Sequence, residues 1–86
     1  MSYNNVKVSE INKGLDLEKQ QEARDNLASN LDLQDFMKEV RKAFRGVLFT
    51  PVAGDKSRVY VHMPNDPYVL GWIGYGDFQT TVSADQ

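Results

Sequence analysis

A short helix with very little apolar surface follows Gly14, and it most constrains what this chain can do. From Leu17 to Leu27, the only apolar residues are these two leucines and Ala23. Asp16 is placed to cap the helix, because its carboxylate can accept hydrogen bonds from the free N–H groups of the first turn. A helix this short is marginal in water unless it packs against something else. We therefore expect it to need a partner, and we expect assembly rather than catalysis.

The same segment resembles one that lies beside the trimeric shaft in phage tail-fibre and head-fibre proteins. The shared pattern is Leu-Ser/Asp/Thr-X-Glu-Lys-Gln-X-X-Ala-Arg-X-Asn-Leu/Ile. It is matched by Leu15, Asp16, Glu18, Lys19, Gln20, Ala23, Arg24, Asn26 and Leu27. Such families usually place Gly after the last Leu, whereas this chain has Ala28, which removes the usual sharp helix stop. The resemblance implies a structural virion protein, made in the host cytoplasm, that forms a homotrimer and contacts other virion proteins.

Length and charge narrow the remaining classes of function. With 86 residues the chain can form one small domain, and oligomerisation is a common source of stability at this size. It has no cysteine, which excludes disulfides and thiolate catalysis. The net charge of −2 gives no basic footprint, so we expect neither nucleic acid nor membrane as a partner. No apolar run is long enough to cross a bilayer.

A second helix is predicted by one apolar stripe with the three-and-four spacing of a helix face. The stripe consists of Leu33, Phe36, Met37, Val40, Ala43 and Phe44. Asp32 is the expected N-cap and Gly46 the expected stop. Residues 28–30 form a short link, which leaves open a helical hairpin or one interrupted rod.

After Gly46 the apolar period changes from helical to alternating, which predicts strands. The expected strands are 47–52, 58–63, 68–74 and 78–82, and the first two are separated by a turn at 53–57. The predicted class is α+β, with an extended N-terminal arm, two short helices and a small antiparallel meander of about four strands. The arm covers residues 1–13, the helical segment 14–46 and the β segment 47–86. The arm is expected either to lie along a neighbouring subunit or to be a flexible tail.

No constellation in the sequence predicts catalysis, a cofactor or a metal. His62 is the only histidine, and no ligand spacing accompanies it. The glycines at 71, 74 and 76 lie within and between strands rather than before a helix, which argues against a phosphate loop. A basic group on the second helix could contact phosphates or simply form a solvated face. Its members are Lys38, Arg41, Lys42 and Arg45.

Apolar and aromatic residues supply the candidate contacts. The expected oligomer interface consists of Leu17, Leu27, Phe36, Met37, Val40 and Phe44, and the expected partner contact of Tyr68 and Trp72. The second set belongs to a C-terminal sheet rich in aromatics, where Trp72 either caps the core edge or meets a partner. The leading hypothesis is a phage fibre or decoration protein. The alternatives are a monomeric inhibitor or adaptor that binds a host protein through its aromatic sheet face, and a nucleic-acid accessory protein.

Overall fold

Two helices precede a three-stranded sheet in the computed structural model, which describes residues 6–74. The elements are a single 3-10 turn at Val8–Glu10, helices α1 (Leu17–Ser29) and α2 (Leu31–Ala43), and strands β1 (Leu48–Val52), β2 (Asp55–His62) and β3 (Val69–Gly74). The strands lie in the order β1-β2-β3, and both neighbouring pairs are antiparallel. The predicted α+β class with a meander is confirmed. The strand predicted at 78–82 lies outside the described residues.

Asparagine and aspartate caps set where the two helices begin. Asp16 caps α1 as predicted, since its Oδ1 accepts a hydrogen bond of 2.8 Å from the Lys19 N–H. The cap predicted for α2 is wrong: Asn30 takes that place and accepts from the Leu33 N–H at 3.0 Å, so Asp32 lies inside the first turn. Asn30 has an extended backbone, which ends one helix and begins the next within a single residue. The link expected at residues 28–30 is therefore reduced to one residue.

One stripe of α2 packs on the sheet. Leu33, Met37 and Val40 are buried, with Leu33 wholly inaccessible to solvent, and two partly buried phenylalanines of the predicted stripe flank them. Ala43 also belongs to the predicted stripe but is exposed. The helix ends at this residue, three positions before the predicted stop, because Phe44 leaves the helical conformation.

Alternation along β2 places the apolar residues on one face, as predicted. Val59 and Val61 are fully buried, and Val59 lies between Pro51 on β1 and Ile73 on β3. The turn between β1 and β2 is shorter than the expected 53–57, because Gly54 has a φ of +84° and reverses the chain within two residues. β2 therefore begins at Asp55.

The hydrophobic core lies between α2 and the inner face of the sheet. It consists of Leu27, Leu33, Met37, Val40, Val47, Val59, Val61 and Ile73. Leu27 is the only member from α1, so this helix contributes little to the centre of the molecule. Between residues 6 and 74 no helix is long and apolar enough to span a membrane.

Candidate interaction surfaces

The start of α1 presents two leucines to solvent on a turn held by two side-chain hydrogen bonds. Leu17 is 77% exposed and Leu15 is 37% exposed. The Asp16 cap holds this turn from one side, and the Gln20 side-chain amide donates a 2.9 Å hydrogen bond to the Leu15 carbonyl from the other. We call Leu15 and Leu17 the leucine pair. Because the backbone beneath it is fixed, the pair would lose little backbone entropy on contact with a partner.

A further exposed leucine lies at the start of α2. Leu31 is 76% exposed, almost the same fraction as Leu17. Single exposed leucines are common on monomeric proteins and need no partner to explain them. Leu31 therefore serves as a matched control for Leu17.

Most of the residues expected to form the oligomer interface face the interior of their own chain. Leu27, Met37 and Val40 are core members with at most 8% of their surface exposed. Phe36 and Phe44 are partly buried and pack against that core. The apolar stripe of α2 covers the sheet, so it is not available as an intersubunit face. Of the six predicted residues, only Leu17 is largely accessible.

The two residues expected to contact a partner through the sheet occupy different environments. Trp72 is half-buried in the middle of β3, and the Arg58 guanidinium lies 5.1 Å from the centre of its ring. Tyr68 precedes β3 and is 39% exposed. Tyr60 is the register partner of Trp72 and is half-buried too. Tyr60 and Trp72 are therefore half-buried neighbours across β2 and β3, and Tyr68 is the more accessible residue of the predicted pair.

Residues 6–12 of the predicted arm are attached to the sheet of their own chain, and we restrict the name arm to them. The Val8 N–H donates to the Pro67 carbonyl at 2.8 Å, and the Val69 N–H donates to the Val6 carbonyl at 2.9 Å. These two bonds flank an antiparallel bridge between Lys7 and Tyr68. The described part of the arm is thus paired with the beginning of β3. Residues 1–5 of the predicted arm lie outside the described range.

A single side chain fastens the other end of the arm. The Asn12 Nδ2 donates to the Pro51 carbonyl at 3.0 Å, and its Oδ1 accepts from the Ala53 N–H at 2.9 Å. Both partners lie at the end of β1 and the turn that follows. Sequence reasoning missed this residue, and a lone Asn in a polar segment carries no signal that distinguishes it. We call the backbone of residues 67–69 and 51–53 together the acceptor surface.

Two of the four cations in the basic group lie beside carboxylates of α2. Lys38 lies 3.7 Å from Asp35, and Lys42 lies 3.3 Å from Glu39. The Arg41 guanidinium stacks 5.0 Å from the centre of the Phe49 ring. These contacts describe a solvated face of the helix, with paired charges, rather than a row of cations that follows a phosphate backbone.

His62 forms a small buried polar pair with Thr50. The imidazole Nε2 lies 2.7 Å from the Thr50 hydroxyl, and His62 is 6% exposed. A nucleophile and base of this kind also need an orienting acid and access for substrate. No acidic hydrogen-bond partner of His62 is found within residues 6–74, and no group of three or more metal-ligating side chains occurs there. The pair satisfies two polar groups beneath the sheet surface.

A shallow groove of about 310 Å³ separates α1 from the turn between β1 and β2. Its charged lining residues are Lys19, Glu22, Asp55 and Lys56. The hydroxyl of Ser57, together with the backbone N–H of the same residue, donates to the Asp55 carboxylate and lowers its pKa. Two cations and two anions offset each other, so the groove selects no ligand by charge.

No protein-family model, no curated protein and no solved structure matches this chain.

Proposed function

We propose that this protein is a non-catalytic structural component of a phage particle, of the fibre or decoration type. In this proposal it assembles with further copies through the start of α1 and contacts other virion proteins. The observation that carries the proposal is Leu17, a large apolar side chain 77% exposed within the segment that resembles phage fibre proteins. The threefold symmetry of those proteins favours a homotrimer.

The physical support is the apolar surface that α1 leaves uncovered. Burying one leucine side chain contributes roughly 1.5–3 kcal/mol, and Leu15 extends the apolar surface beside Leu17. In a closed symmetric assembly each copy supplies the same contact, so the gain is repeated at every interface. This surface is small for a stable complex in free solution. Copies held close together on a particle would associate more strongly, because their effective concentration is higher.

Oligomeric mass tests the proposal, with two glutamate substitutions of equal exposure. Sedimentation velocity at increasing micromolar concentrations should give the native chain a mass that is a multiple of 9.8 kDa. Leu17→Glu should reduce that mass to the monomer, whereas Leu31→Glu, on the other helix, should leave it unchanged. A native chain that stays monomeric at every concentration, or a Leu17→Glu variant that assembles normally, would overturn the proposal.

The second candidate is a monomeric inhibitor or adaptor that binds a host protein through the aromatic sheet face. The observation in its favour is that one copy buries a complete core by itself, with Leu33, Val59 and Ile73 fully enclosed. Tyr68 offers the accessible contact, and Trp72 lies half-buried further along β3. In this case Leu17→Glu would be harmless, while Tyr68→Ala and Trp72→Ala would abolish partner binding with the fold retained, as circular dichroism would show.

A further inference from the structure

We infer that the acceptor surface binds the arm of a second copy of this chain, so that neighbouring copies exchange arms. The partner is thus a segment that is extended at the residue bridged to Tyr68, continues into a 3-10 turn and carries Asn five positions after the bridge. This inference rests on the proposed assembly and names the contact that builds it.

The acceptor surface recognises a backbone and one amide rather than a particular copy. On the β3 side, the Val69 N–H and the Pro67 carbonyl bond to the arm and point away from β2. The arm of the same chain covers this edge here, and once that arm has left, the edge can pair with an extended segment of another chain. On the β1 side, the donor and acceptor atoms of Asn12 match a carbonyl and an N–H. An arm from a second copy would supply the same groups.

The arm is attached without being part of the core. None of the residues that form the buried core cluster belongs to it, and its 3-10 turn buries no side chain. Its hydrophobic residues Val6, Val8 and Ile11 are all half-buried. The core therefore does not depend on which copy supplies the arm, and exchange conserves the contacts.

Gly14 provides the hinge. Its φ is +81°, in the left-handed region, and glycine changes backbone conformation at less steric cost than any other residue. α1 begins independently of the arm, because Asp16 caps it from within the helical segment. A change at Gly14 can thus redirect the arm while both helices remain intact.

The leucine pair favours arm exchange over a single copy that docks its own arm. Leu15 and Leu17 follow the hinge by one and three positions, so two chains that exchange arms approach each other at these residues. In a single copy Leu17 remains 77% exposed, even though the arm is docked. Exchange keeps the arm contacts and adds leucine burial that the single chain lacks.

Cysteine cross-linking distinguishes the two arrangements, and the native chain contains no cysteine to interfere. Lys7 and Tyr68 face each other in an antiparallel bridge, where Cα atoms are about 4.5–5.5 Å apart, within the range of a disulfide. One batch of the protein carries Lys7→Cys and a second carries Tyr68→Cys. The two are mixed, unfolded and refolded together, concentrated and oxidised. Lys38→Cys replaces Tyr68→Cys in the control, because Lys38 is exposed on α2 and reports random encounters.

We expect a covalent heterodimer from the Lys7→Cys and Tyr68→Cys mixture in clear excess over the control. Addition of Leu17→Glu to both chains should remove that excess. The doubly substituted chain, oxidised while dilute, should lock its own arm and lose the ability to assemble. A native chain that assembles although the heterodimer does not exceed the control would overturn arm exchange and leave the proposed function standing. A native chain that remains monomeric at every concentration would overturn both.

Discussion

The two helices have the same length, thirteen residues each, but they bury different amounts of apolar surface. α2 buries three large apolar side chains against the sheet, and Leu33 is completely enclosed. α1 buries only Ala23 and Leu27, and it begins with the most exposed leucine of the described chain. The spacing of apolar residues, rather than helix length, thus decides which helix builds the core and which remains available for a partner.

The arm belongs with α1 in this comparison. It is held by two backbone hydrogen bonds at β3 and by one asparagine at β1, and it adds nothing to the buried core cluster. One part of the molecule, α2 with the sheet, is complete in a single copy. The other part, the arm with α1, retains surface that a second copy can cover.

The largest expected difference between the two helices is in stability. Leu33→Ala should lower the free energy of unfolding by about 2–5 kcal/mol, because it leaves a cavity at a fully buried position. Leu17→Ala should change it by no more than about 0.5 kcal/mol in the monomer, because that side chain is mostly in water. Urea unfolding at low protein concentration measures both values. Equal losses of unfolding free energy in the two variants would mean that α1 and α2 contribute equally to the core.

Asn12→Ala should have the next largest effect. It leaves the Pro51 carbonyl and the Ala53 N–H without the side-chain partner seen here, which should cost about 1–2 kcal/mol. Asn12→Asp is the matched control, because its carboxylate can still accept from the Ala53 N–H but cannot donate to the Pro51 carbonyl. We expect it to lower the free energy of unfolding as well. Stability unchanged in both variants would mean that Asn12 does not fasten the arm.

Substitutions at the two helix caps should also affect α1 and α2 differently, with smaller changes in stability. Asn30→Ala should cost about 1 kcal/mol of global stability, because this cap begins the helix that covers the core. Asp16→Ala should cost less globally and should mainly speed amide exchange in the first turn of α1, which few buried contacts support. Unfolding curves and hydrogen exchange on the two variants separate these effects. A larger loss of unfolding free energy for Asp16→Ala than for Asn30→Ala would mean that α1, and not α2, carries more of the global stability.

The smallest predicted effect concerns pH. Ser57 lowers the pKa of Asp55 in the folded chain, so the ionised carboxylate stabilises the fold above the ordinary Asp pKa of about 3.9. That contribution is lost as the pH falls through the lower folded value. Asp55→Asn should therefore show less acid destabilisation below about pH 4. The difference should be small because the carboxylate contacts solvent, and thermal unfolding across this pH range would reveal it.

Local patterns were enough to predict much of the fold. The stripe of α2 and the alternation of β2 each repeat over several residues, and both led to the correct buried core residues. His62 was predicted on the polar face of β2 but is only 6% exposed. The N-cap of α2 was wrong because Asn30, Asp32 and Ser29 can all cap a helix, and only the extended backbone at Asn30 distinguishes them. The turn before β2 was predicted to be longer than it is, because Asp55 and Ser57 are residue types that favour turns. In the structure both residues belong to the strand.

The contacts between distant segments were beyond local patterns. The Asn12 contacts span about forty residues, and the pairing of the arm with β3 spans about sixty, so no periodicity records them. The apolar spacing of α2 fits an intersubunit interface and a core under the sheet equally well, because both bury the same stripe. Met37 and Val40 show the consequence, since the chain buries them by itself.

Hydrogen–deuterium exchange at low and high protein concentration shows whether copies associate through the start of α1, because it reports α1 and α2 in the same sample. The first N–H groups of a helix lack intrahelical partners and respond to any surface that covers them. We predict that residues 15–20 gain protection as the concentration rises, while α2 and β2 do not change. Exchange that is independent of concentration throughout the chain, or added protection confined to α2, would contradict the account.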